Sequence, residues 1–243
     1  MGSITWGREI AEVYDKTYAA ESGPSVLGPI VGLLAELARS GPTLEFAAGT
    51  GRVALALSAR GIAVHGIELS PHMAGQLRAK PGAGAVPVTI GDMTTTRVPG
   101  TFQLVYLVAN TIMNVTTQDD QLAVFANAAA HLAPGGFFVV ELSVPVLQKL
   151  PPGEVYRVFD HEESHLGFDE YDVVTQRMYS HHYRFDGTTY RRDSVPFRYI
   201  WPAELDLMAR IAGMRPFARW ADWERAPFTA QSPSHVSVWQ LPG

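Results

Sequence analysis

The sequence contains no cysteine. This absence excludes disulfide bonds, thiolate nucleophiles and metal sites built on cysteine. The chain also has no excess of basic side chains, because 24 Asp and Glu residues outnumber 19 Lys and Arg residues and give a formal net charge of -5. An acidic surface is unsuited to nonspecific nucleic-acid binding or to an anionic membrane, so we expect neither as a partner.

Long apolar runs are missing as well. No stretch reaches the roughly 20 residues that a membrane-spanning helix needs, and the longest candidate, residues 30–37, contains Glu36. The first residues have no apolar core like that of a signal peptide, so we expect a cytoplasmic protein. With 243 residues, 47% of them hydrophobic, the chain is long enough for one large domain or a domain with a cap.

The most informative segment that is present is residues 43–51. It reads as a buried strand containing Glu45, followed by a tight turn containing Gly49 and Gly51 and then by a helix. Such a turn brings backbone N–H groups and a helix N-terminus against a ligand with no side chain in the way.

Two further acids, Glu68 and Asp92, follow the second and third apolar runs of the chain. Acids at the ends of successive strands indicate a nucleoside-containing cofactor that is bound through its hydroxyls and its base. Alternating strands and helices at this spacing predict an α/β domain with a mostly parallel sheet. The predicted strands are residues 43–47, 63–69, 86–90, 102–108 and 137–142, and the predicted helices are residues 10–18, 26–38, 53–59, 70–80, 118–132 and 202–212.

The composition changes after residue 143. Residues 155–199 alternate and are rich in aromatic and β-branched side chains, which predicts an antiparallel addition to the core sheet. If Asp186 and Gly187 form a two-residue hairpin turn, Tyr183 pairs with Tyr190. We expect three parts. Residues 1–142 form a core with an N-terminal helical lid, and residues 143–200 form an antiparallel insertion. Residues 201–243 form a C-terminal helix and strands that complete the core sheet.

The pattern Glu45-x-Ala47-x-Gly49-x-Gly51 resembles the first motif of class I methyltransferases that use S-adenosylmethionine (SAM), with Ala47 in place of a glycine. The resemblance covers residues 10–142 strongly. It implies a Rossmann-like, seven-stranded, mostly parallel sheet with an antiparallel β extension after strand five. It also implies SAM as the cofactor and direct in-line transfer of a methyl group to nitrogen or oxygen of a small-molecule metabolite, with a natural-product or sugar-amine intermediate as a candidate and a homodimer left open.

The resemblance assigns roles to individual residues. Glu68 would bind both ribose hydroxyls with two charge-assisted hydrogen bonds, and Asp92 would reach the exocyclic amine of adenine. Met93 would lie against the adenine ring as an adaptable thioether. The complete set of implied cofactor-binding residues is Tyr14, Glu45, Ala47, Gly49, Gly51, Glu68, Leu69, Asp92, Met93 and Val108.

The acceptor site is predicted from two regions. The segment after strand four lines this site in the family, and the leading helix folds over the cofactor. In the later region Tyr179, His181 and Tyr183 share one face of a strand, which forms either a wall of the acceptor site or packing against the core. The candidate substrate-binding residues are Tyr18, Asn110, Asn114, Tyr179 and His181, and the candidate catalytic residues are Asn114, His181 and His182.

The acceptor atom stays open between nitrogen and oxygen. A hydroxyl acceptor needs a base, for which His181 and His182 are candidates, whereas an amine needs only to be bound unprotonated. Asn114 is a neutral hydrogen-bonding group and a poor base. The absence of a clear base favours an amine or an acidic hydroxyl.

Several alternatives remain. The turn also fits the Gly-x-Gly-x-x-Ala fingerprint of nicotinamide-dependent oxidoreductases. His161-Glu162-Glu163-Ser164-His165 satisfies the zinc-peptidase motif His-Glu-x-x-His, although no long helix is predicted there and we expect no metal. Asp92 could instead cap a turn, and Tyr14 could be a core aromatic.

Overall fold

The structure is a computed structural model, and it describes residues 6–243. Two sheets, six α-helices and several short 3-10 turns make up this part of the chain. The helices are α1 (Arg8–Thr17), α2 (Pro24–Ala38), α3 (Arg52–Ser58), α4 (Pro71–Arg78), α5 (Gln118–His131) and α6 (Pro202–Ile211). The strands are β1 (Thr43–Phe46), β2 (Val64–Glu68), β3 (Val88–Ile90), β4 (Phe102–Leu107), β5 (Leu132–Ser143), β6 (Tyr156–Glu162), β7 (His165–Asp172), β8 (Arg177–Asp186), β9 (Thr189–Arg198), β10 (Arg215–Trp220) and β11 (Ser234–Gln240).

The core sheet has seven strands in the order β10-β11-β5-β4-β1-β2-β3. The strands from β1 to β5 run parallel, and β11 runs antiparallel to both of its neighbours. This topology confirms the predicted seven-stranded, mostly parallel sheet. Because the carboxyl ends of parallel strands meet at one edge, the loops after β1, β2, β3 and β4 come together there.

Helices cover both faces of this sheet, which explains why β1 is buried at every position and β4 at all but one. One apolar layer joins the sheet to α2 and α3, and the other joins it to α5 and α6. The helix ends follow the expected local chemistry. Ser70 caps α4 by accepting a hydrogen bond from the Met73 N–H, with Pro71 at the first helical position.

The antiparallel extension after β5 is confirmed, but it is not an addition to the core sheet. Strands β6, β7, β8 and β9 form a separate four-stranded meander, which we call the second sheet. Only Tyr171, Met178 and Tyr199 form its buried apolar cluster, against partly buried side chains that include Met113 and Leu147. The predicted attachment was therefore wrong, because apolar alternation indicates that a strand has a buried face but does not name the surface that buries it.

The predicted hairpin register was also wrong. Asp186 pairs with Thr189, so the two-residue turn consists of Gly187 and Thr188 and not of Asp186 and Gly187. Turns of this kind need a positive φ at their first position, and Gly187 provides it with a φ of 61°. As a result Tyr183 pairs with Arg192.

Strand β5 begins earlier than predicted. Leu132 follows α5 directly and pairs with Phe102, and the ladder is then interrupted before Phe137 pairs with Leu104. Within residues 6–243, no helix combines the length and the apolar character that crossing a bilayer requires.

Candidate active site

One cavity of about 800 Å³ lies at the carboxyl edge of the core sheet and extends to the second sheet. Its walls include Gly49 after β1, Glu68 at the end of β2 and Asp92 after β3. On the far side the walls include Tyr171 and Met178 of the second sheet. Ten of the sequence-predicted site residues line it, namely Tyr14, Tyr18, Ala47, Gly49, Glu68, Leu69, Asp92, Met93, Asn110 and Asn114.

The glycine turn after β1 has a left-handed backbone at Ala47, Gly49 and Gly51, with φ values of 52°, 57° and 84°. The alanine in place of the first glycine therefore adopts the conformation of the residue it replaces, at a cost of about 1–2 kcal/mol. Gly51 does not line the cavity. A Cβ at Gly51 would lie 2.6 Å from the Cγ of Leu77, so this glycine allows α4 to approach the turn.

Glu68 is buried at the end of β2, with 5% of its surface exposed. Its Oε2 accepts a hydrogen bond from the Gly49 N–H at 2.8 Å, and its Oε1 accepts one from the Ser70 N–H at 2.8 Å. Burial raises the pKa of this carboxyl, while the backbone donors oppose that shift. The carboxylate therefore fixes the glycine turn relative to β2.

Asp92 was interpreted from the sequence either as a contact for adenine or as the cap of a turn. Its Oδ1 accepts hydrogen bonds from the N–H and the hydroxyl of Thr94, at 2.8 and 2.7 Å, which is the turn-capping role. The same residue also lines the cavity. Met93 lines the cavity beside it and is 5% exposed.

Glu45 is not brought to the cavity. It is 2% exposed and accepts a hydrogen bond from the Tyr106 hydroxyl at 3.2 Å. Burial raises the pKa of Glu45 from 4.5 to about 8, with the Tyr106 hydrogen bond opposing the shift. The first motif's acid thus lies behind the glycine turn. Val108, which was predicted to bind the cofactor, is also outside the cavity lining.

Helix α1 contributes Tyr14 to the cavity wall, and it is held mainly by polar contacts. Tyr14 and Tyr18 line the cavity with ring centroids 4.7 Å apart. Asp15 accepts a hydrogen bond from the Thr50 hydroxyl at 2.6 Å and forms an ion pair with Lys80 at 2.5 Å. Burial and, secondarily, the neighbouring Tyr18 raise the pKa of Tyr14 to about 12, so its hydroxyl stays protonated at neutral pH.

The loop after β4 is shaped by Glu141, which sequence reasoning missed. Ala109 and Asn110 are left-handed, with φ values of 56° and 60°. The Glu141 carboxylate accepts hydrogen bonds from the Ala109 N–H at 2.8 Å and from the Trp223 indole N–H at 2.7 Å. Asn110 Oδ1 accepts a hydrogen bond from the Ser143 N–H at 2.6 Å. These bonds hold the loop that carries Asn114 into the cavity wall.

The second sheet supplies cavity residues that the sequence analysis did not identify, among them Asp169, Tyr171 and Arg157. Burial raises the pKa of Asp169, and hydrogen bonds from Ser180 and Tyr171 oppose that shift. Asp169 is partly buried, so its carboxyl stands in the cavity wall with reduced access to solvent. The available signal was the alternation of Asp169 and Tyr171 on one strand face.

Tyr179, His181 and His182 were predicted at the acceptor site, and the structure does not bring them to the cavity. Met178 is the β8 residue in the wall, so Tyr179 and His181 lie on the opposite face of that strand. His181 instead contacts Glu170 Oε2 at 3.1 Å and Ser194 Oγ at 2.8 Å. His182 shares the face of Met178 but lies four residues, about 13 Å, further along the strand.

The zinc-peptidase alternative is wrong. His161 and His165 stand on the two strands of the β6–β7 hairpin and not on one helix face. In the part of the chain that the structure describes, no group of three or more His, Asp or Glu side chains is placed to hold a metal ion.

Comparisons with known proteins agree with this geometry. Residues 43–136 match the model of a methyltransferase domain. The structure of the CcbJ methyltransferase from Streptomyces caelestis is 34% identical in sequence, covers 98% of each chain and superposes with a TM-score of 0.85. The chain belongs to the class I SAM-dependent methyltransferases. SAM is therefore its methyl donor, and the nicotinamide-dependent alternative is wrong.

Two curated relatives of this methyltransferase are more informative about chemistry. The cypemycin N-terminal methyltransferase from a Streptomyces species is 27% identical over 234 residues, which are 90% of this chain and 94% of that one. The dTDP-4-amino-2,3,4,6-tetradeoxy-D-glucose N,N-dimethyltransferase from Saccharopolyspora spinosa is 31% identical over 143 residues, which are 57% of this chain and 56% of that one.

Proposed function

We propose that this methyltransferase transfers the methyl group of SAM to the nitrogen of an amine on a small molecule. The observation that carries the proposal is the continuous cavity that reaches from the glycine turn to a partly buried carboxyl, Asp169, on the second sheet. Its volume of about 800 Å³ is in the upper part of the range for ligand pockets, which leaves space for an acceptor beside the cofactor.

The core-sheet side is the proposed cofactor half. Backbone N–H groups donate to both oxygens of Glu68, and because a carboxylate has about four acceptor positions it can still accept from the ribose. Asp92 would accept from the exocyclic amine of adenine, between Leu69 and Met93. Gly49 leaves the turn backbone open to a close approach, and the protonated hydroxyl of Tyr14 would lie at the methionine end.

The second-sheet side is the proposed acceptor half. Asp169 would attract a cationic amine and accept its proton, which exposes the nitrogen lone pair. Asn110 and Asn114 on the loop after β4 would hold polar groups of the acceptor, and Tyr18 would cover it from α1. When SAM is bound it supplies a methyl group on a positively charged sulfur, so the side chains have only to position the amine in line and keep water out.

Nitrogen is favoured over oxygen for two reasons. A cavity carboxyl suits a cation, whereas a hydroxyl acceptor needs a base that removes a much less acidic proton. The names of both curated relatives, an N-terminal methyltransferase and an N,N-dimethyltransferase, specify nitrogen.

The cofactor half is tested by calorimetry with S-adenosylhomocysteine. Glu68→Ala should weaken binding by about 1–3 kcal/mol, because charge-assisted hydrogen bonds are lost. Glu163→Ala, an equal change at an exposed hairpin turn, is the matched control. Equal affinities in the two variants, with folding verified by circular dichroism, would remove Glu68 from the ribose site.

The acceptor half is tested with paired probes. The enzyme is incubated with SAM and either a nucleotide-linked amino sugar, its hydroxyl counterpart, or a short peptide with a free amino terminus. We expect a mass gain of one methyl group on the amines only, and Asn114→Ala should slow turnover more than it weakens cofactor binding. Methylation of the hydroxyl probe and not of the amines would contradict the proposal.

A further inference from the structure

A line of neighbouring polar side chains crosses the second sheet from the cavity to the surface. It consists of Asp169, Ser180, His182, His165 and Asp160. We propose that this line is a proton relay that removes the proton of the acceptor amine from the closed site. The inference rests on the proposed amine methylation, because an amine is mostly protonated at neutral pH and only its neutral form has the lone pair that attacks.

The inner end of the relay lies in the cavity wall. Asp169 lines the cavity and stands opposite Ser180 in the β7–β8 register. The Ser180 hydroxyl therefore faces the Asp169 carboxyl across the strand pair, and it lowers the pKa of that carboxyl. Ser180 is 7% exposed, so water has little access to this contact. A proton on Asp169 therefore has a protein group as its next partner.

The middle of the relay consists of two imidazoles. Ser180 Oγ lies 3.3 Å from His182 Nε2, and His182 Nδ1 lies 3.0 Å from His165 Nε2. The two rings are nearly parallel, with an interplanar angle of 15°. Burial lowers the pKa of His182, so this ring is neutral at neutral pH and has one donor and one acceptor nitrogen.

The outer end reaches water. His165 Nδ1 lies 2.6 Å from Asp160 Oδ2. The Asp160 side chain is 32% exposed, and its hydrogen bond with His165 lowers its pKa. The carboxylate can therefore pass a proton to solvent and return to its ionised form.

One arrangement of protons satisfies every contact once the amine N–H bond has broken and an O–H bond has formed on Asp169. With a proton on Nδ1 of each ring, Asp169 donates to Ser180, Ser180 donates to His182, His182 donates to His165, and His165 donates to Asp160. Each group then passes one proton outward, and Asp160 releases one to water. No group is oxidised or reduced. Flips of the two rings, or exchange with solvent, restore the starting tautomers.

Other charges face the relay and bear on its pH dependence. Arg157 on β6 and Tyr171 on β7 face Asp169, and His181 on β8 lies near enough to lower the pKa of Asp169. Arg184 on β8 and Asp193 on β9 face His182, with opposite effects on its pKa. For both Asp169 and His182 the largest cause is burial, which favours their neutral forms.

The first experiment needs no acceptor. Nitrogen-15 imidazole spectra of the enzyme with S-adenosylhomocysteine should show His165 and His182 each with its proton on Nδ1. In Asp160→Asn the His165 resonance should change. A proton on Nε2 of either ring would overturn the relay.

The second experiment follows kcat against pH with an amine probe. His182→Gln should lower kcat by about tenfold or more near pH 6, with the loss shrinking at alkaline pH, where the amine deprotonates without help. Added imidazole should restore activity to His182→Gly. His161→Gln, the same change at an exposed position of the second sheet, is the control and should keep the wild-type profile.

The two failures are distinguishable. If the wild-type enzyme methylates no amine probe, the proposed function fails and the relay has no proton to carry. If it methylates an amine while His182→Gln and His161→Gln share the wild-type pH profile, only the relay is overturned. A merely structural role for His182 would lower stability without moving the acidic limb and without imidazole rescue.

Discussion

The two walls of the cavity are built differently. The core-sheet wall consists of loops and strand ends that rest on two extensive apolar layers, and its polar groups are backbone N–H groups and buried carboxyls. The second-sheet wall consists of strand side chains, and three buried residues anchor it, Tyr171, Met178 and Tyr199. Rigid positioning thus belongs to the proposed cofactor half, while the proposed acceptor half rests on a thin sheet whose local stability we expect to be lower.

The largest effect that sharpens this contrast concerns the rigidity of the core wall. Gly51→Ala should lower the free energy of unfolding by about 3 kcal/mol, because it adds backbone strain at a φ of 84° and a clash with Leu77. Gly61→Ala is the matched control, since Gly61 has a φ of 81° and open space around its Cβ. It should cost only about 1 kcal/mol. Urea unfolding measures both, and equal costs would show that the approach of α4 does not constrain the turn.

Glu45 gives the core wall a pH dependence. Its folded-state pKa of about 8 lies above the ordinary value of 4.5, so the folded state holds a proton that the unfolded state loses between these values. The stabilisation from this group is fully present below about pH 4.5 and is lost as the pH rises to about 8. Between pH 5 and 8 the free energy of unfolding of Glu45→Gln should therefore fall by roughly 3 kcal/mol less than that of the wild type. Urea unfolding at pH 5 and 8 tests it, and an unchanged decline would contradict the proton on Glu45.

A pair of methionines compares the two walls directly. Met93 lines the core wall and Met178 the second-sheet wall, and both are largely buried. Met93→Ala should weaken S-adenosylhomocysteine binding by about tenfold, from lost apolar contact. Met178→Ala should leave that affinity within about twofold and raise the acceptor KM. If Met93→Ala and Met178→Ala lose equal cofactor affinity, the proposed division into a cofactor half and an acceptor half is wrong.

The smallest effect concerns α1, whose only buried residue is Ala11. Asp15→Ala removes the contacts with Thr50 and Lys80, and because the Asp15 side chain is 49% exposed these contacts contribute about 0.5–1 kcal/mol. Amide hydrogen exchange in α1 should become several-fold faster, with little change in α2. Glu9→Ala on the same helix is the control, and equal exchange in both variants would show that Asp15 does not hold the helix.

The sequence predicts the core wall better than the second-sheet wall, for a physical reason. The glycine turn, the Ser70 cap and the acids after β2 and β3 are local features, so a few neighbouring residues specify each of them. Even there, tertiary placement decided whether an acid faces the ligand, and Glu45 turned out to lie behind the turn.

The second sheet depends on longer-range choices. Moving the hairpin turn by one position, from Asp186 to Gly187, changes the strand partners by two residues while keeping the strand faces. The alternation of side chains along β8 places Tyr179 and His181 on the face opposite Met178. It does not indicate which of the two faces lines the cavity. Asp169 and Ser180 become neighbours only through the pairing of β7 with β8, which no local pattern in either strand reveals.

Trp223 illustrates how far the proposed acceptor site depends on residues outside the cavity wall. It lies outside the cavity lining, in the loop between β10 and β11, yet its indole N–H holds the carboxylate that also fixes Ala109. A substitution at this tryptophan releases one of the two donors of Glu141 and loosens the backbone that presents Asn114. We therefore expect that a substitution in this remote loop can change substrate preference while every cavity-lining side chain stays the same.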